Sequence, residues 1–122
     1  MSNPILGLRT TIYIVPDIYA AKHWYAKAFN TQPYFDELFY VGFNVAGYEL
    51  GLQPGNATYG DNVISYWGVD DVNTQYHSLL MIGATKHEEP QNVGGEIVVA
   101  SVKDPLGNII GLIYNPEFKL DK

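Results

Sequence analysis

The chain's 122 residues, 47% of them hydrophobic, suffice for one domain with its own core. Seven Lys and Arg against thirteen Asp and Glu leave a net charge of −6, so no basic stripe is available for phosphates and neither nucleic acid nor an anionic membrane is an expected partner. With no cysteine, disulfides, thiol nucleophiles and iron–sulfur sites are excluded, and residues Met1 to Pro16 carry no sustained apolar run, which makes the cytoplasm the expected compartment.

In chain order, Thr10 to Val15 is β-branched and aromatic and predicts a strand that ends in the acidic turn Pro16-Asp17. Asp17 suits an N-cap, and Ile18, Ala21, Tyr25 and Ala28 recur at helical spacing, which predicts a helix near 18–29. Strands follow near 32–36, 39–45 and 48–53, with Ala46-Gly47 as the tight link between the last two. The pattern then restarts. Ile64 to Val69 is a second strand, 54 residues after the first; Asp71 caps a helix striped by Val72, Tyr76, Leu79 and Leu80, and Gly83 stops it. Three more strands are expected near 84–88, 96–102 and 108–114, the last two joined by Asp104-Pro105-Leu106-Gly107.

Aligning Gly47 with Gly107 sets Gly51 over Gly111, an offset of 60, and the six additional residues are expected in a loop from Glu89 to Gly95. The reading is therefore α+β: two βαβββ modules, about 8–54 and 62–115, within a single domain and joined near Gly55 to Asp61. One eight-stranded α+β domain without internal symmetry is the alternative.

Val15-Pro16-Asp17, Phe29-Asn30 and Asp104-Pro105-Leu106-Gly107-Asn108 before an apolar strand resemble the glyoxalase/bleomycin resistance/extradiol dioxygenase (vicinal oxygen chelate) superfamily over residues 8–115. The resemblance implies that the modules form a curved mixed sheet cup, commonly completed in a homodimer. In enzymatic members the cup holds a divalent metal, which acts as a Lewis acid. It takes one ligand from the first and one from the last strand of each module.

Carried over, those positions are Thr10, Gly51, Ile64 and Gly111, and none offers the imidazole or carboxylate that such an ion needs. Neither metal nor cofactor is therefore expected. Glu49 becomes a ligand only if its strand shifts by two residues, and one carboxylate would leave a metal unsupported. His23 and His77 fall on the outer sides of their helices, and His87 at a strand end.

Period-two alternation puts Thr10, Ile12, Glu49, Gly51, Gln53, Ile64, Tyr66, Gly111 and Ile113 on one face, the expected lining of a small-molecule pocket. Tyr13, Trp67 and Val69 belong to the opposite face, under the helices. The two glycines either open volume over the sheet or mark close approach where it curves, and the aromatic groups either line the cup or fill it. Glu49, the one inward ionisable group, reads three ways: a general base whose pKa burial raises, an anchor for a cationic ligand, or a solvated rim position.

The pattern is most similar to bleomycin-resistance proteins, which implies a homodimeric, metal-independent protein that binds or sequesters a cationic or aromatic small molecule, as in drug or antibiotic resistance. A lyase, isomerase or dioxygenase-type enzyme, using a divalent metal or Glu49 as base, is the alternative.

Overall fold

The computed structural model describes residues 4–56, 62–105 and 107–118. Most of the junction expected near Gly55 to Asp61 lies outside these residues, as does Leu106 of the Asp104 turn. The elements run β1 (Ile5–Val15), α1 (Ile18–Ala28), β2 (Phe35–Glu37), β3 (Tyr40–Val45), β4 (Tyr48–Pro54), β5 (Val63–Val69), α2 (Val72–Met81), β6 (Thr85–Gly94), β7 (Ile97–Lys103) and β8 (Ile109–Tyr114). The order strand, helix, strand, strand, strand thus occurs twice in a mixed α+β fold. The chain forms two compact units: Thr10–Ile64, and residues 4–9 with Ser65–Phe118.

In the unit Thr10–Ile64 the strand order is β2-β3-β4-β1, antiparallel until β1 joins β4 in parallel. Ala46 and Gly47, both at positive φ, make the two-residue link whose twist suits a hairpin. Val41, Phe43, Leu50 and Leu52 are buried beneath Ile18, Ala21, Tyr25 and Ala26 of α1, with Tyr13 and Val15 completing the cluster. Ala26 takes the place expected of Ala28, which is exposed as the helix's last residue.

In the other unit the order is β5-β8-β7-β6, with β5 and β8 parallel and the remaining pairs antiparallel. Val72, Tyr76, Leu79 and Leu80 of α2 pack on Val69, Ala100, Val102 and Leu112, the stripe expected from their spacing. Trp67 does not join them and is 38% exposed, because α2 lies across β6, β7 and β8 rather than over the Trp67 stretch of β5.

The two helices begin and end alike. Asp17 Oδ1 accepts from Ala20 N at 3.0 Å, and Asp71 Oδ1 accepts from Thr74 N at 3.1 Å. The bonds from Thr74 hold the Asp71 carboxyl below the usual carboxylate range. At the C-termini Thr31 N donates to Ala26 O and Ala84 N to Leu79 O, each at 3.1 Å, around a left-handed residue that is Asn30 in one helix and Gly83 in the other.

Strand register carries the same repeat. Ile12 stands beside Gly51 and Tyr66 beside Gly111, pairs related by the offsets of 54 and 60 read from the sequence. The loop expected at Glu89 to Gly95 is instead strand: β6 runs to Gly94 and absorbs the additional residues as register shifts after Lys86, Glu88 and Asn92. As an edge strand it is exposed along nearly its whole length, so no hydrophobic alternation marks it.

Among the described residues no helix is long and apolar enough to cross a membrane.

Candidate functional site

The strongest polar constellation in the unit Thr10–Ile64 is built on Glu49. Parallel pairing sets Glu49 beside Thr10, whose hydroxyl donates to Glu49 Oε1 at 2.9 Å. The second carboxylate oxygen accepts from the Tyr34 hydroxyl. Tyr34 is anchored just before β2 by its N–H, which donates to Gly42 O at 2.9 Å. Gly42 is what lets ring and carboxylate meet: a Cβ there would stand 2.8 Å from Glu49 Oε2 and 3.0 Å from Tyr34 Cε1.

Burial about its hydroxyl, then the hydrogen bond to Glu49 and the nearby charge, push the Tyr34 phenol well above its usual value. The rest of its ring is open, the residue being 63% exposed. No cation pairs with Glu49 among the described residues.

Gly51, directly opposite Gly42, is covered by Tyr40, whose hydroxyl occupies the place a side chain at Gly51 would take. Phe35 joins this surface with its ring 6.1 Å from that of Tyr40. Thr10, Ile12, Glu49, Gly51 and Gln53 thus fall on neighbouring positions of β1 and β4 as the alternation required. Ile12 and Ile64 are enclosed, while Gln53 is exposed.

In the other unit the space at the equivalent glycine, Gly111, is taken by a ring and by backbone. Tyr66 Cδ1 lies 2.6 Å, and Ser65 O 2.9 Å, from where a Gly111 side chain would begin. Burial, with the charge of Glu88 second, pushes the Tyr66 phenol up to about 12. Opposite Gly111 on β7, the wholly buried Ser101 has its hydroxyl 2.7 Å from His87 Nδ1 and 3.5 Å from Glu88 Oε1. Ile113, next along β8 on this face, is also enclosed. His23 and His77 are exposed on α1 and α2.

Sequence reasoning passed over Tyr34, Tyr40 and Gly42, and the pairing of His87 with Ser101. One signal was legible: Tyr40 and Gly42 alternate on the face that Glu49 and Gly51 share.

The residues present do not fit the divalent metal that the resemblance implies. Thr10 offers a hydroxyl already donated to Glu49, Ile64 an alkyl chain, and the places of Gly51 and Gly111 are taken by Tyr40 and Tyr66. Among the described residues no three His, Asp or Glu are grouped to hold an ion.

Two βαβββ modules with these pairings define the fold of the glyoxalase/bleomycin resistance/dioxygenase superfamily, the vicinal oxygen chelate proteins. A glyoxalase/bleomycin resistance protein/dioxygenase superfamily member from Vibrio splendidus 12B01 is similar with a TM-score of 0.68 at 15% identity, over 88% of this chain and 99% of that one. Methylmalonyl-CoA epimerase from Mycobacterium tuberculosis gives 0.73 at 15% identity, over 93% and 91%. The Mn(II)-bound glyoxalase from Novosphingobium aromaticivorans gives 0.72 at 17% identity, over 98% of this chain and 42% of that larger one. No protein-family model and no curated protein sequence matches the chain.

Proposed function

We propose that this chain is a metal-independent binding protein for a small cationic molecule with aromatic character, which it sequesters at Glu49. One observation carries the reading: a carboxylate that no cation pairs with among the described residues is bonded to the Tyr34 hydroxyl, on the strand face that Tyr40 shares. A cation over such rings gains roughly 0.5–2 kcal/mol from each face in addition to its attraction to the carboxylate. The net charge of −6 adds long-range attraction. Thr10 and Tyr34 hold the carboxylate in place before a guest arrives, which lowers the ordering cost of binding.

The reading includes association of two copies. It is supported by the apolar β2–β3 hairpin at the sheet edge, where Leu38 is 88% and Phe39 66% exposed.

Calorimetric titration with benzyltrimethylammonium tests the site. Saturable binding that Glu49→Gln weakens at least about ten-fold supports it; equal affinity in the two proteins overturns it. The Tyr34 hydroxyl bonded to Glu49 also forms a proton-transfer pair, and this favours a second reading, a metal-free acid–base enzyme. Under that reading Glu49→Gln keeps affinity and loses turnover.

A further inference from the structure

We propose a second site, in the unit formed by residues 4–9 with Ser65–Phe118, for a small zwitterion bearing one carboxylate and one ammonium group. An α-amino acid with a short side chain is the fitting class. The site is a cleft of about 120 Å³ where the parallel strands β5 and β8 end beside the start of β1. At roughly 30 Å³ of liquid volume per water, it has room for only a handful of non-hydrogen atoms.

Arg9, the sole arginine of the chain, lines this cleft. Its guanidinium carbon lies 4.1 Å from the centroid of the Phe118 ring, and Nη1 reaches Leu6 O at 3.4 Å. It also lies against Gly68, where a Cβ would stand 2.5 Å from Nε and 2.7 Å from Cζ. The planar group is therefore clamped, yet no carboxylate pairs with it among the described residues. A guanidinium carries five donors in a fixed fork, so a held and unpaired one is preorganised for a carboxylate.

Asp70 lines the same cleft and likewise has no ion-pair partner among the described residues. Two opposite charges that border one cavity without meeting would both be satisfied by a ligand carrying the complementary pair. Asp70 disfavours a simple anion such as phosphate, and Arg9 a simple cation. Leu6 and Ile113 supply apolar wall.

Titration of the whole 15N-labelled chain with glycine, acetate and methylammonium, followed at the amides of Gly68, Asp70 and Asn115, tests the assignment. Glycine is expected to shift these amides saturably, with acetate and methylammonium at least about ten-fold weaker. Arg9→Gln is expected to weaken glycine by a similar factor. Gly68→Ala, which displaces the guanidinium while keeping its charge, should do the same and decides the matter if Arg9→Gln fails to fold. Asp70→Asn should bring acetate level with glycine, and Glu49→Gln, in the other unit, should leave glycine binding unchanged. Glycine no tighter than acetate in the native chain, undiminished binding in either cleft variant, or loss of binding in Glu49→Gln overturns the proposal.

Discussion

Tyr66 occupies the space that a side chain at Gly111 would need, with its Cδ1 2.6 Å from the site of the missing Cβ. The backbone oxygen of Ser65 crowds the same point at 2.9 Å, and Tyr66 is itself buried, so neither neighbour yields easily. At Gly51 the atoms nearest the missing Cβ all belong to the hydroxyl end of the half-buried Tyr40 side chain, with no backbone atom among them. Gly111→Ala is therefore expected to destabilise by about 1–3 kcal/mol and Gly51→Ala by under about 1 kcal/mol in urea unfolding. Equal losses would show that the two glycines are held by the same constraint.

The Tyr66 phenol has a pH consequence. It titrates near 12 in the folded chain against 10.0 for an ordinary tyrosine, so folding favours its neutral form. That contribution, on the order of 2–3 kcal/mol, is complete below pH 10 and is lost as pH rises from about 10 to 12. Urea midpoints measured from pH 8 to 11.5 should fall on the alkaline side, and Tyr66→Phe should fall less steeply. Parallel curves would assign the alkaline loss elsewhere.

Tyr76, on the core-facing side of α2, is 1% exposed, and its hydroxyl has no hydrogen-bond partner among the described residues. A buried, unsatisfied hydroxyl disfavours folding, so Tyr76→Phe is expected to stabilise by about 1–3 kcal/mol with the core otherwise unchanged. A loss of stability would mean that the hydroxyl finds a partner.

If two copies meet through the β2–β3 hairpin, charging its apolar tip must separate them. Leu38→Asp with Phe39→Ser is expected to move the protein from dimer to monomer in sedimentation velocity without lowering its unfolding midpoint, since both side chains are open to solvent. A dimer that persists places the interface on another surface.

The architecture was legible because it is written in periodic apolar residues and in repeated end signals. Asp17 and Asp71 cap as read, and the 54 and 60 offsets reappear in the pairing of Ile12 with Gly51 and of Tyr66 with Gly111. What escaped lacked such a signal. β6 is polar, exposed and bulged, and so reads as loop. Trp67 lies on the core-facing side of its strand, but where a helix crosses a sheet depends on side-chain packing between elements and not on alternation within one strand.

Within the site, alternation placed Glu49 and Gly51 on one face. The ring that covers a glycine comes from a neighbouring strand, so Tyr40 over Gly51 and Tyr34 against Gly42 emerge only from the pairing.

Native mass spectrometry of the full chain, purified from cells without added metal, tests the central reading most directly, because it weighs guest, metal and subunit number together. The expected result is the mass of the polypeptide with an organic cation, no stoichiometric divalent metal, and loss of that guest in Glu49→Gln. One divalent ion per chain, retained in Glu49→Gln, would contradict it.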